Sequence, residues 1–206
     1  MDGTEKRLLA SEAWRVLAQR GVVPWISHFH DLTPDGDVLE IGSGAGFNAE
    51  TFLDRYPWWR FTASDADPEM VAACAARLAR FGPRVRVEHA DATKLPYADA
   101  TFDLVISLGV WHHVGDWERA LAECRRVLRP GAHLLVADLL PGFFVGPVGR
   151  AFPPVRSYTL GAMRAQLADA GFARFRMRAA KDLWYRLIAE TPDAVEGDPE
   201  TPEAPA

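Results

Sequence analysis

Between Asp37 and Asp138, short apolar runs alternate with longer amphipathic ones, and that alternation leaves room for one class of fold. Val38–Ile41, Arg60–Ser64, Arg84–His89, Phe102–Ser107 and Ala132–Asp138 are predicted strands. Predicted helices occupy Phe47–Tyr56, Pro68–Phe81 and Trp117–Leu128 between them. Strands separated by helices cannot pair as hairpins, so they imply an α/β domain with a parallel sheet. The punctuation agrees: Asp67 and Asp116 are candidate N-caps, Pro68 falls at a first helical position, and Gly82-Pro83 and Pro130-Gly131 follow helix ends. Beyond this core, Thr159 is placed to cap a helix over Leu160–Ala170 that Gly171 stops. Phe172–Arg178 and Leu183–Ala189 then read as an antiparallel pair of strands.

The flanks differ in character. Thr4–Arg20 reads as an amphipathic helix carrying Leu8, Leu9, Trp14, Val16 and Leu17 and closed by Gly21, followed by a short segment Val22–Asp31. Residues 1–32 are expected to form a helical lid and residues 33–190 the main domain. Residues 191–206 are acidic and proline-rich and are expected to be disordered, because they hold almost no large apolar side chain to offset the entropy of ordering. The connection Leu139–Tyr158 is longer than joining two elements requires and is expected to line or cover a site.

A chain of 206 residues suits one domain with a sizeable core. Its formal net charge of -5 is spread among interspersed acids and bases, which disfavours nucleic acid as a partner and favours a small molecule. Met1–Arg20 lacks an apolar signal core, and no apolar run is long enough to span a bilayer, so a cytoplasmic protein without membrane attachment is expected. Cys74 and Cys124 fall on apolar helix faces and are expected to be buried free thiols.

The chemistry concentrates at Val38–Asn48, VLEIGSGAGFN. An apolar run ending in an acid, then Gly42, Gly44 and Gly46, describes a strand turning tightly into a helix. Such a turn lets main-chain amides approach a nucleoside-like ligand. Glu40 is expected to order the loop by accepting its hydrogen bonds.

Three further segments follow in order. ASDADPEMV puts Asp65 at the end of the second strand, about twenty residues beyond the glycines. HADATKLPYADATFDLVIS carries Asp91 and Ala92. Leu108–Val114 is followed by ALAECRRVLRPGAHLLVAD, with Ala132 where a second glycine is common. Together these segments resemble the class I S-adenosylmethionine-dependent methyltransferases, in particular their small-molecule, quinone-biosynthesis-like branch, over roughly half of the chain. The resemblance implies a doubly wound, mostly parallel seven-stranded, Rossmann-like sheet with its last strand antiparallel. It also implies a cofactor, S-adenosylmethionine. Gly42, Gly44 and Gly46 would hold the methionine portion with Glu40 behind them, Asp65 the ribose, and Asp91 with Ala92 the adenine, with Leu108 at the same edge. The reaction would be in-line displacement of the methyl group by a small-molecule acceptor, carried out by a monomer or homodimer.

Competing readings are separable by spacing. An NAD-dependent dehydrogenase is a further alternative, but its dinucleotide fingerprint needs the third glycine three residues after the second, where this chain has Phe47 rather than glycine. Ser107, Leu108 and Gly109 stand where magnesium-dependent catechol-type enzymes have an acid, so no metal site is expected. SLGVW does not match the motif of amino-methylating DNA enzymes, and two cysteines do not supply the thiolates of arsenic methylation. A cofactor-binding protein that transfers no methyl group is the alternative from another class. If the acceptor must lose a proton, His112 and His113 beyond the fourth strand are candidate bases, with His28 and His30 as candidate acceptor-side residues in the lid. Trp14, Trp25, Phe29, Trp111, Phe143, Phe144 and Tyr158 suggest an apolar or planar acceptor, whereas Trp58 and Trp59 are assigned to packing.

Overall fold

The computed structural model describes residues 35–140, 158–180 and 184–194, with Val16 and Arg20 besides. The elements run β1 (Asp35–Ile41), α1 (Phe47–Arg55), β2 (Trp58–Asp65), α2 (Pro68–Leu78), β3 (Val85–His89), β4 (Phe102–Leu108), α3 (Trp117–Val127), β5 (Leu128–Leu139), α4 (Leu160–Asp169), β6 (Arg174–Ala180) and β7 (Trp184–Glu190). They form a seven-stranded sheet in the order β3-β2-β1-β4-β5-β7-β6. Strands β1 to β5 pair in parallel, and β7 inserts antiparallel between β5 and β6. The strand order reverses between β1 and β4, so a crevice opens there at the carboxyl ends of the strands.

Alternate side chains of the central strands feed two separate apolar layers. Val38, Leu104 and Ile106 pack with Phe52 and Leu53 of α1 and Cys74 and Leu78 of α2. Leu39, Ile41 and Val105 pack with Ala120, Leu121 and Cys124 of α3 and Met163 and Leu167 of α4. The sheet is therefore covered on both faces, which is why its strands read as continuous apolar runs. Capping follows the expected residues: Asp67 accepts from Glu69 N, Asp116 from Arg119 N and Thr159 from Ala162 N. Arg126, near the end of α3, staples the β3–β4 loop by donating to the Tyr97 and Leu95 carbonyls at 2.7 and 3.0 Å and pairing with Glu123 and Asp99.

Several boundaries differ from expectation. Helix α2 stops at Leu78, and the chain tightens into a 3-10 turn over Ala79–Arg84 with Gly82 at φ 63°. Strand β5 begins at Leu128 and runs through Pro130 and Gly131, at the cost of a register shift against β4 between Phe102 and Leu104. Trp59 is fully buried and stacked on Tyr56, but Trp58 is 74 % exposed, so the packing role assigned to both holds for Trp59 alone. Adjacent strand residues face opposite sides, and the layer over Trp58 ends short of it. Nor does ordering cease at Thr191. Its hydroxyl donates to the Arg129 carbonyl at 2.6 Å and accepts from Ala132 N at 2.9 Å, and Gly131 N donates to the Pro192 carbonyl. With Thr191 N donating to the Ala132 carbonyl at 2.9 Å, these bonds carry the contact of β5 with the chain after β7 two residues further, for which composition gives no signal.

Cys74 and Cys124 are both buried free thiols, and burial pushes the Cys74 thiol up to about 12. Among the described residues no helix is long and apolar enough to cross a membrane. The lid with His28, His30, Trp14, Trp25 and Phe29, the connection with Phe143 and Phe144, and the tail beyond residue 194 lie outside the described residues.

Candidate cofactor and acceptor site

The glycine loop crosses the carboxyl end of β1 and is held by its neighbours' main chains and by one acid. Ser43 N donates to the Ser64 carbonyl at 2.9 Å, and Gly46 N closes a turn onto the Ser43 carbonyl. Asp65, at the end of β2, accepts from Gly44 N through Oδ2 at 2.8 Å and from Asp67 N through Oδ1 at 2.9 Å. It therefore organises two loops at once, and each oxygen keeps a second lone pair for a ligand. Arg77 of α2 closes the far end, donating to the Ala45 carbonyl at 2.7 Å with its guanidinium 3.5 Å above the Phe47 ring.

Two glycines are there for want of a side chain. Gly42 has φ +70°, and a Cβ on it would strike Val110, beyond β4. At Gly46, φ +82°, a Cβ would lie 2.9 Å from Cys74 Sγ. Among the described residues a Cβ on Gly44 would meet nothing within 4 Å, so none of them covers the loop's outer surface there.

Glu40 corrects the expectation made for it. It is fully buried, and neither carboxylate oxygen has a hydrogen-bond partner among the described residues. Asp65, not Glu40, accepts the loop's hydrogen bonds. Burial first, and the charge of Asp65 second, push the Glu40 carboxyl up to about 8. The folded protein thus holds a proton that the unfolded chain releases near its ordinary value of 4.5. The stability from this group is complete below that value and is lost as pH rises toward about 8, by at most about 1.4 kcal/mol per pH unit. Urea unfolding followed across that window is expected to show the decline, and Glu40→Gln to flatten it. An undiminished slope in the variant would assign the effect to other groups.

The other candidates lie along the same edge. Ala90 N donates to the Asp65 carbonyl, which brings the end of β3 beside that of β2 and sets Asp91 and Ala92 next along the crevice. Asp91 is exposed, with Oδ1 taken up by Thr93 N and Oγ1 at 2.8 Å each. Ala92 packs against the core. Leu108, the last residue of β4, is buried.

After β4, Gly109 N donates to the Ala137 carbonyl and the chain turns through a single 3-10 turn, Trp111–His113. Asp138, fully buried near the end of β5, receives that turn. Its Oδ1 lies 2.6 Å from His112 Nδ1 and accepts from Leu139 N, while its Oδ2 accepts from His112 N and from the Tyr158 hydroxyl, each at 3.1 Å. Tyr158 meets the Tyr185 hydroxyl of β7 at 2.8 Å. Burial, and then the charge of Asp138, raise both tyrosines well above their ordinary values, so both stay un-ionised. The His113 ring lies 4.0 Å from that of His112. Sequence reasoning assigns no role to Asp138 or Tyr185, and to Tyr158 only an aromatic one. A signal for Asp138 is nonetheless present: VAD is an apolar run ending in an acid, as are VLE and TASD at the other two strand ends.

The edge thus offers amide donors at the start of α1, where a helix end favours a carboxylate. Beside them stand two carboxyl groups, Glu40 and Asp65, suited to a cation or to hydroxyl donors. That donor set fits an amino-acid-bearing nucleoside, and the class it defines is that of nucleoside-cofactor enzymes on a doubly wound sheet. Residues 39–136 match the model of a family described as methyltransferase domain. A probable S-adenosylmethionine-dependent methyltransferase of Mycolicibacterium smegmatis is 39 % identical over 140 residues, covering 66 % of this chain and 51 % of that protein. The demethylmenaquinone methyltransferase of Thermus thermophilus is 34 % identical over 104 residues, covering 50 % of this chain and 47 % of its own. In fold, the chain is similar to a SAM-dependent methyltransferase of Aquifex aeolicus, with TM-score 0.74, 23 % identity, and coverage of 92 % of this chain and 98 % of that one. The chain spans about half the length of the curated relatives it matches. Over residues 39–136 the chain is thus similar to the methyltransferase domains of these relatives, on a sheet of the same fold as the Aquifex protein's.

Proposed function

We propose that the protein transfers the methyl group of S-adenosylmethionine to a small, apolar or aromatic acceptor by in-line displacement. The observation that carries this reading is the buried Glu40 carboxyl beside Asp65, which has no hydrogen-bond partner among the described residues, under a glycine loop whose Gly44 none of them covers. A carboxyl in that state is a costly feature for a protein to keep unless a ligand's donor completes it. In this reading Gly42, Gly44 and Gly46 shape the cradle for the methionine portion with Glu40 behind it. Asp65 holds the ribose hydroxyls while keeping its bonds to Gly44 and Asp67. Oδ2 of Asp91 and the Ala92 segment receive the adenine, and Leu108 walls the same edge. The bound cofactor supplies a methyl group already activated by a sulfonium, so the chain's own tasks are alignment and exclusion of water. His112 and His113 stand where the acceptor would enter, and the similarity to a demethylmenaquinone methyltransferase fits an apolar one.

Calorimetric titration with S-adenosylhomocysteine, and separately with NADH, tests the reading. Binding of the former alone is expected; selective NADH binding would overturn it. Asp65→Ala is expected to weaken S-adenosylhomocysteine binding by about 1–3 kcal/mol, through loss of charge-assisted bonds and of the Gly44 and Asp67 anchors. Unchanged affinity in a folded variant would remove Asp65 from the site.

A further inference from the structure

We propose that Arg178 of β6 and Arg186 of β7 form an oxyanion site that holds a carboxylate or phosphate group on the methyl acceptor. The inference rests on the methyl-transfer reading above and adds to it the charge of the acceptor.

The register between β6 and β7 sets Arg174 opposite Glu190, Arg176 opposite Ile188 and Arg178 opposite Arg186. At the end away from the crevice the charges match, with Arg174 Nε donating to Glu190 Oε2 at 3.1 Å. At the crevice end, like faces like. Side chains directly opposite in an antiparallel pair leave the same face about 5 Å apart, and two positive charges so placed repel. Burial, and then the charge of Arg178, hold the pKa of the Arg186 guanidinium below its ordinary value. An oxyanion seated between the two guanidiniums turns that repulsion into attraction, and each planar fork can meet it with two N–H groups.

β6 is the last strand of the sheet, where charged side chains keep an edge from pairing with another chain. Such a role accounts for the exposed Arg174, Arg176 and Arg178. It does not account for Arg186, because β7 pairs with β5 on one side and β6 on the other. Nor does the chain as a whole attract anions, its net charge being -5, so any preference for them must be local.

The place of the two arginines ties them to the proposed site. Arg186 stands opposite Ala137 of β5, and Ala137 opposite Leu108, which ends β4 at the crevice. Leu108 and Ala137 share one apolar layer with Ile188, so this row lies on the α1–α2 side of the sheet. Arg186 is therefore two strand spacings, about 10 Å, from the Leu108 wall, and Arg178 three, about 14 Å. Trp184, two residues before Arg186 and so on the same face, adds half-buried aromatic surface at the crevice end. An acceptor that spans this distance is an apolar or aromatic body with an acid at its far end.

Calorimetric titration in saturating S-adenosylhomocysteine tests the site, with 2-naphthoate and 2-naphthyl phosphate as anionic probes and 2-naphthalenemethanol as their neutral match. In the parent, at least one anionic probe is expected to bind roughly 10–100-fold more tightly than the alcohol. Whichever does so tells a carboxylate acceptor from a phosphate one. Arg178→Gln and Arg186→Gln are each expected to remove most of that preference, leaving the affinities for the alcohol and for S-adenosylhomocysteine unchanged. Arg178 is exposed, so its variant keeps the test decisive should Arg186→Gln fail to fold. Arg174→Gln, which takes the same charge from the same face at the far end of the strand, is expected to keep the preference. Three results would overturn the proposal: no anionic preference in a parent that binds S-adenosylhomocysteine, a preference that survives in the folded variants, or an equal loss in Arg174→Gln. Failure of S-adenosylhomocysteine to bind at all would instead sink the reading on which it rests.

Discussion

Asp138→Ala is expected to lower folding stability by about 3–5 kcal/mol. Four donors converge on this carboxylate: His112 N, His112 Nδ1, Leu139 N and the Tyr158 hydroxyl. Alanine removes four acceptor contacts at once in a place water does not reach, and a donor left with no other partner bears its desolvation cost unrepaid. The Tyr158 hydroxyl keeps Tyr185 as a partner, which limits its share. The loss should also couple to His112. In a double-mutant cycle, His112→Ala made on top of Asp138→Ala is expected to cost less than in the parent, because the contacts between the two side chains are already gone. Additive losses in urea unfolding would show that the two side chains do not act as a unit.

Gly42→Ala is expected to cost about 2–5 kcal/mol and to abolish detectable S-adenosylhomocysteine binding, for two separable reasons. The residue sits at φ +70°, a conformation that alanine adopts only under strain. Its Cβ would also strike Val110 Cγ2 and lie 2.8 Å from Cγ1. A valine with a stiff χ1 cannot swing away as the end of a long side chain could. Either the loop or the turn before His112 must shift, and both belong to the proposed site. Val110→Ala in the same chain should recover the steric part and leave the backbone part. If the second change restores no stability, the contact between the loop and the post-β4 turn is not what limits position 42.

Much of the frame is legible in the amino-acid sequence, and particular residues explain why. The Asp67-Pro68 start of α2 and the Thr159 start of α4 are local devices, formed by a side chain and an amide two or three residues away. Strand ends are marked by an acid closing an apolar run, and the glycine spacing separates this loop from a dinucleotide turn. Where local signals fail, a distant partner intervenes. Pro130 and Gly131 read as a separator between helix and strand, yet the pairing of Leu128 and His133 with β4 on either side of them, and of Gly131 with Pro192, carries them into β5. Trp58 and Trp59 look alike in sequence, and only the extent of the covering layer tells the exposed one from the buried one.

By itself the sequence determined the α/β alternation, the glycine loop, and the acids Glu40, Asp65 and Asp91 as a set on one edge, because periodicity, caps and turns act over a few residues. The tertiary structure decided which acid does what. It gave Glu40 no hydrogen-bond partner among the described residues and brought Asp65 to the loop, 21 residues from Gly44. It brought Asp138 to His112 across 26 residues and Tyr185 to Tyr158 across 27. Such pairings depend on strand order, and strand order is set by how the two apolar layers close over the whole sheet, which no short stretch of the chain encodes.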